Sequence, residues 1–550
     1  MSRWSGGRAI AESLVVHGVR ATFGVPGESY LPVLDALVDT DIRVVTCRHE
    51  GGAAFMAEAW CKLTGEPGVC LVTRGPGATN AAIGVHAARQ SSTAMVLLVG
   101  QVASAFHGRE AFQEVDYRQM FGGLAKWVTE LRSADDAAPM MAEAFHRAQE
   151  GRPGPVVVSL PEDALAGETD PTAAAPIPVV RGRPTGTEVE AIAARLTAAR
   201  RPVFLVGGGA WTDDDRRVLT RLAEHLEAPV VAAFRRNDLI DNHSRVYAGE
   251  AGTAMPTAVR DTLTSADCVV ALGVRFGEIT TSSWTLWPAP RPDVDLIHVH
   301  PDADQLGKIY EPALGVAAHP GAVLADLASR EMTPADPAWC RDRRRAFLAT
   351  LDVPARPGSL DMGEVIARLQ GLLPGDAIVT NGAGNFTVWP NKYLLYGPDG
   401  RLLAPQSGAM GYGLPAAIAA KVAHPDRTVV CFAGDGDLQM TIAELGTALQ
   451  ADAQPIVLLI DNGMYGTIRM HQERQFPGRV IGTDLENPDF VALARAYGMH
   501  AERVSHTPEF APAFARAVDS SSGALLHLVV DPRQLTPTQS VEQARATATK

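Results

Sequence analysis

Short apolar runs alternate with helix-period stretches along most of the chain. Ala94–Val99, Val156–Leu160, Val203–Val206, Val269–Leu272, Val429–Phe432 and Ile456–Ile460 are rich in Val, Ile and Leu, and each is closed by Gly, Pro or Asp. Runs of this kind predict parallel strands buried on both faces of an α/β sheet. Two stretches interrupt the pattern. Gly167–Thr185 mixes Pro, Ala and Thr without a period, and Met332–Pro357 holds several prolines around a short charged helix. They divide the chain into three doubly wound parallel-sheet domains, residues 1–168, 186–331 and 358–535, with 536–550 as a polar surface tail. Ligands in such sheets sit at the carboxyl ends of the strands.

The last domain carries the most specific pattern. Arg427–Ala433 reads as a strand, Gly434-Asp435-Gly436 as a tight turn, Met440–Gln450 as a helix and Pro455–Ile460 as the next strand, ending at Asp461-Asn462. A right-handed crossover leaves both strand ends on one edge of the sheet, so Asp435 and Asn462 can meet on one cation. The glycines let backbone amides approach phosphate oxygens. A carboxylate, an amide oxygen and a carbonyl form a hard-oxygen site suited to Mg²⁺ or Ca²⁺ that already holds a phosphate. The bland alternative is an ordinary strand-to-helix turn.

A second pattern lies near the start. Glu50 follows Arg48-His49 and opens a helix of small residues, Gly51-Gly52-Ala53-Ala54. An acidic group at a helix N-terminus can be purely structural. Small residues behind it also let a flat ring lie against the backbone.

Composition narrows the class. The 550 residues are 46% hydrophobic and 20% charged, which fits a globular chain with several cores. The net charge of −13 comes with no basic run, so nucleic acid is not an expected partner. Cys47, Cys61, Cys70, Cys268, Cys340 and Cys431 show no CxxC pair and no metal spacing, as expected of reduced thiols. No segment approaches the roughly 18 apolar residues of a membrane helix, and Met1–Gly7 lacks the apolar core of a signal peptide. The expectation is a cytoplasmic protein with no membrane partner.

Gly434–Gly466 resembles the cofactor motif of the thiamine diphosphate (ThDP)-dependent enzymes. Ser407–Ala417 is closely similar to the acetolactate synthase subgroup. The resemblance covers about Ala9 to Pro532 and implies a pyrimidine-binding, a central Rossmann-like and a diphosphate-binding domain. It implies ThDP and Mg²⁺ as cofactors, with Asp435, Asn462 and the Met464 carbonyl as metal ligands. Gly434, Gly436, Asp437, Tyr465 and Gly466 fall within the same motif, and Gly384 and Asn385 align with a loop that contacts the diphosphate. Gly408 and Met410 fall in the second motif, where Met410 is the residue that holds the cofactor bent. Val25 and Pro26, in Phe23–Ser29, match the pyrimidine-binding domain. There Glu50 would hydrogen-bond a ring nitrogen and help remove the proton from the reactive carbon.

The resemblance further implies a carboligase that decarboxylates one 2-oxo acid and adds the resulting enamine to a second carbonyl. Phe112 and Gln113 would line the reaction centre, and Arg275 would hold the second substrate's carboxylate. The chain also departs from the subgroup. Glu162 stands where a lysine is expected, His471 where a tryptophan is, His300 where an aspartate is, and Gly277-Glu278-Ile279 replaces Asp-Asp-Arg. His471 could instead act on an intermediate, since imidazole titrates near neutrality. Several departures fall where the subgroup binds FAD, which leaves FAD as the less favoured alternative. A decarboxylase or other C–C lyase releasing an aldehyde is the second reading, and a catalytically idle cofactor-binding subunit the third. In the resembled family Glu50 and the Asp435–Asn462 clamp come from different subunits, so a homodimer is the expected minimum and a homotetramer fits as well.

Overall fold

The structure is a computed structural model and describes residues 3–209, 211–353 and 355–547. It contains three six-stranded parallel sheets. The first runs, edge to edge, Arg43–Thr46, Ala21–Gly24, Gly68–Val72, Met95–Gln101, Pro155–Pro161 and Trp127–Glu130. The second runs Tyr247–Ala251, Val230–Ala233, Pro202–Val206, Cys268–Leu272, Asp295–Val299 and Leu314–Val316. The third runs Arg401–Leu403, Ile378–Asn381, Val429–Gly434, Ile456–Asp461, Ala524–Val529 and His500–Val504.

Burial on both faces explains why these strands are continuous apolar runs. Along Met95–Gln101, Leu97 and Val99 enter one core while Val96 and Leu98 enter the core on the opposite face. The same split occurs in the third sheet, where Cys431 and Val457 face one core and Val430 and Leu458 the other. One core is shared: it runs from the first sheet through the helices Glu50–Thr64 and Gly413–Ala423 into the third. Small residues also let the helix Pro76–Ser91 close on Glu50–Thr64 within the first domain: a Cβ on Gly84 would overlap the Cβ of Ala54.

A buried polar cluster crosses the shared core. The Glu58 carboxylate pairs with Lys62 Nζ at 2.9 Å and accepts hydrogen bonds from Thr93 Oγ1 at 3.0 Å and from the Tyr412 hydroxyl. Burial lowers the Lys62 ammonium below its ordinary value, while Glu58 works against that. The second sheet has its own separate core.

Two local expectations change. The helix expected over Met440–Gln450 starts two residues later, as a single 3₁₀ turn at Ile442–Glu444 that runs into Leu445–Gln450, and a separate short helix, Asp435–Gln439, stands before it where only a tight turn was expected. Thr441 leaves helical geometry at φ −138°, and its hydroxyl donates to the Gly411 carbonyl at 2.7 Å. The stretch expected as a polar tail folds back through residue 547. Gln534–Thr536 pairs with Gln539–Ser540, and the helix Val541–Ala546 buries Ala544 beside Met470. Arg545 clamps it through Glu473 at 2.8 Å. No helix among the described residues is long and apolar enough to cross a membrane.

Candidate active site

The strands Val429–Gly434 and Ile456–Asp461 are neighbours in register, Gly434 opposite Ile460. Their carboxyl ends open into a cleft of about 260 Å³. Twelve residues expected at a cofactor site line it: Gly384, Asn385, Gly408, Met410, Gly434, Asp435, Gly436, Asp437, Asn462, Met464, Tyr465 and Gly466. Glycine is required at the turn because a Cβ on Gly436 would stand 2.5 Å from the Tyr465 ring, and one on Gly434 2.8 Å from Phe386.

Each polar group in the cleft has a distinct setting. Asp435 is buried, and burial pushes its carboxyl up to about 6. Asn487 Nδ2 donates to Asp435 Oδ2 at 2.8 Å and to Asp461 Oδ1 at 2.9 Å. Burial opposes the charge on Asp461 as well. Its contacts with His527 at 2.8 Å and the Gly463 amide at 3.0 Å nevertheless hold it below its ordinary value. Asp461 therefore anchors the loop that presents Asn462. Asn462 Oδ1 accepts the Met464 amide at 3.3 Å, and Thr467 Oγ1 donates to Asn385 Oδ1 at 2.9 Å.

Asp437 does different work from its neighbour. Its Oδ1 accepts the Ala383 amide at 3.0 Å and the Gly411 amide at 2.9 Å. One buried carboxylate thus ties the loop bearing Gly384 and Asn385 to the loop bearing Met410. Burial pushes its carboxyl up to about 7.

Glu50, Val25 and Pro26 lie elsewhere, at the carboxyl edge of the first sheet. Glu50 opens its helix with His49 as N-cap. Asn80 Nδ2 donates to Glu50 Oε2 at 2.9 Å, and a Cβ on Gly77 would stand 3.3 Å from Oε1. The Val25 carbonyl accepts the Tyr30 hydroxyl at 2.6 Å. Within one chain none of these three lines the diphosphate-type cleft.

The Phe112–Gln113 loop approaches this edge. A Cβ on Gly75 would meet the Gln113 carbonyl at 2.7 Å, and Arg74 Nε donates to the Phe112 carbonyl at 3.3 Å. Glu162, where lysine was expected, forms an ion pair with the same Arg74. The Phe112 ring is 74% exposed, and Gln113 takes a left-handed φ of 65°. Arg275 lines another cavity, of about 320 Å³, with Gln406 and Ser407, and its guanidinium donates to the Gln90 carbonyl. Gln406 and Ser407 lead directly into Gly408 and Met410. His471 is exposed on the helix Gly466–Gln475, and the chain does not bring it to the cleft.

Sequence reasoning missed Asn487, Asp461 as an anchor, and Asn80 as the partner of Glu50. Asn487 sits in an ordinary Glu-Asn-Pro loop that carries no signal. Asn80 was visible only as part of a longer small-residue stretch.

Three parallel α/β domains, a glycine-framed cleft with Asp and Asn on adjacent strands, and a carboxylate at a helix entrance outside that cleft define the class as a cofactor-dependent α/β enzyme. The chain belongs to the thiamine pyrophosphate enzymes. The N-terminal TPP-binding domain model matches residues 4–120, the central domain model 189–327 and the C-terminal TPP-binding domain model 382–528. It is 32% identical over 544 residues to the acetolactate synthase large subunit of Parasynechococcus marenigrum, covering 96% of this chain and 87% of that protein. It is 33% identical over 536 residues to the acetolactate synthase isozyme 3 large subunit of Escherichia coli, covering 94% and 93%. A probable acetolactate synthase large subunit of Methanocaldococcus jannaschii is 30% identical over 553 residues, at 97% and 93% coverage. ThDP and Mg²⁺ are the cofactors of this family, and the donor set fits them. One carboxylate, one amide and a glycine cradle suit a Mg²⁺ that keeps phosphate oxygens as its other ligands.

Proposed function

We propose that the chain is a ThDP- and Mg²⁺-dependent carboligase of the acetolactate synthase type, which removes CO₂ from one 2-oxo acid and joins the remaining carbon to a second carbonyl. The observation that carries the reading is the cleft where Asp435, Asn462 and Met464 meet Met410 and the Gly434–Gly436 cradle. Bound ThDP supplies carbanion stabilisation next to the carbonyl, and the protein supplies position and protons. Asp435, Asn462 and the Met464 carbonyl would hold the Mg²⁺, with the glycine cradle on the diphosphate. Met410, lining the same cleft, would pack against the cofactor. Glu50 would hydrogen-bond its pyrimidine ring. Phe112 and Gln113 would line the substrate side, and Arg275 would receive the carboxylate of the second 2-oxo acid through its bidentate fork.

The working unit in this reading is a homodimer or a pair of dimers, because Glu50 and the cleft of one chain do not meet. Glu50 then serves the cleft of a second copy. A reducing compartment, the cytoplasm, suits the six unpaired cysteines, five of them buried.

A second reading, simple decarboxylation with aldehyde release, draws on Arg275, which is engaged by Gln90 and lines a cavity apart from the cleft. Incubation with ThDP, Mg²⁺ and a panel of 2-oxo acids separates the two. An acyloin-type product such as acetolactate from pyruvate is expected. Aldehyde alone would replace the first reading with the second, and no CO₂ from any 2-oxo acid would remove both.

A further inference from the structure

We infer that the central domain binds no flavin or other dinucleotide, and that this chain works with ThDP and Mg²⁺ alone. FAD is the group that resemblance attaches to this domain, and the residues present do not fit it. The crevice where it would lie is defined by topology. Strand Pro202–Val206 has Val230–Ala233 on one side and Cys268–Leu272 on the other, which makes its carboxyl end the switch point of the sheet. Dinucleotides bind there through free amides of a glycine turn, a free helix N-terminus and an acidic side chain on the ribose.

The glycine turn is spent on the protein itself. A Cβ on Gly208 would overlap the Gly273 carbonyl oxygen, and one on Gly209 the carbonyl oxygen of Ser92. These glycines bring backbone against backbone on one side of the turn, and the Gly207 amide already donates to the Leu272 carbonyl at 3.0 Å. Their carbonyls are also engaged: Trp211 Nε1 donates to Gly207 at 2.8 Å, and Arg236 Nη1 donates to Gly208.

The helix that follows, Asp213–Leu226, already has its anion. Its first turn carries Asp213, Asp214 and Asp215. Asp215 Oδ2 accepts the Thr212 amide at 2.9 Å while Thr212 Oγ1 accepts the Asp215 amide at 3.1 Å. This reciprocal cap removes two donors a phosphate would need, and three carboxylates repel a further negative group. A histidine also takes the place where resemblance puts an acidic residue. At the end of strand Asp295–Val299 stands His300, buried, with Nδ1 accepting the Asp302 amide at 3.0 Å.

Length is the last obstacle. Two cavities flank the turn. One, of about 510 Å³, is lined by Gly209, Trp211 and Arg236, and the other, of about 320 Å³, by Gly208 and Arg275. Arg236, from the lining of the first, donates to the Gly208 carbonyl, from the lining of the second, and its Nε lies 3.6 Å from Asp238. A molecule spanning both cavities past this turn would have to displace that contact.

The test uses the full wild-type chain and does not depend on its reaction. The purified protein is examined for the flavin absorption band, then titrated with FAD by calorimetry to about 100 µM, where a micromolar site is filled. The expected result is no flavin band, no saturable heat and no change in melting temperature, while ThDP with Mg²⁺ binds in a parallel titration. The rate with any accepted 2-oxo acid should be the same with and without FAD. One FAD bound per chain, on isolation or on titration, would overturn the inference and leave the ThDP reading standing.

Discussion

Glu444 Oε1 accepts the backbone N–H of His49 at 2.9 Å, although the two residues belong to different sheets' domains and are separated by the whole central domain. Its other oxygen accepts the Arg48 amide at 3.2 Å, and the side chain is fully buried. Glu444 therefore fixes the entrance of the helix that begins at Glu50. A net hydrogen bond of this kind is worth roughly 0.5–1.5 kcal/mol. Glu444→Ala is expected to lower the unfolding free energy by about that much per bond and to reduce kcat, whereas Glu444→Gln keeps one acceptor and loses less. An alanine variant with the wild-type unfolding free energy and rate would refute this role.

Glu50 is half-exposed in the chain and contributes little to its packing. Glu50→Gln should keep the fold, shown by an unchanged circular dichroism spectrum, and keep diphosphate binding, since the clamp lies in another domain. Its rate should fall by about 10²–10⁴, the usual range for a lost acid–base group. Wild-type turnover would end the assignment.

Asp437 joins two cofactor-facing loops through the Ala383 and Gly411 amides. Asp437→Ala should free the Met410 loop and the Gly384–Asn385 loop together. A loss of roughly 1–3 kcal/mol corresponds to ThDP binding about fivefold to 150-fold weaker. Isothermal titration with ThDP and Mg²⁺ measures it directly, and unaltered affinity would contradict the argument.

Two inactive chains should rescue each other. Glu50→Gln and Asp435→Ala remove opposite half-sites, and a mixed dimer of the two carries one intact pair. Random pairing of equal amounts, after unfolding and refolding together, is expected to return roughly a quarter of wild-type activity in a twofold-symmetric assembly. No recovery from a mixture whose mixed dimers are confirmed by mass spectrometry would place both halves of the site in one chain.

His298 and His300 give the central domain an acid sensitivity. Both are buried, and burial lowers each imidazole to about 4 from its ordinary 6.5. Between those values the unfolded chain binds more protons than the folded one, so stability falls as pH drops from about 6.5 towards 4 and levels off below. Thermal unfolding across this range should show the loss. His300→Asn keeps an acceptor for the Asp302 amide and should flatten the slope.

Most of the architecture was legible because parallel strands buried on both faces leave unbroken apolar runs. The Val429–Gly434 and Ile456–Asp461 pair followed from such runs and from the Asp and Asn at their ends. What could not be read depends on where a side chain finds its partner in space. Thr441 delays the start of a helix whose local sequence is helical because Gly411, remote in sequence, offers a carbonyl. Asn487 reaches two carboxylates from a loop without any motif. The end of the chain looked like solvent-exposed polar sequence because only Val541 and Ala544 mark its inner face. Asp437 lines the cleft as its place beside Gly436 suggested, and its Oδ1 also holds two loops. That second role depends on amides remote in sequence and left no mark in the motif.

The backbone contact between Gly84 and Ala54 also has a practical meaning for redesign. A seam in which one methyl group has no place to go offers no room for repacking, so libraries aimed at new substrates should leave the helices Glu50–Thr64, Pro76–Ser91 and Gly413–Ala423 untouched. The Phe112–Gln113 loop, exposed and tethered chiefly by Arg74 and Gly75, is where sequence can be varied without dismantling the scaffold.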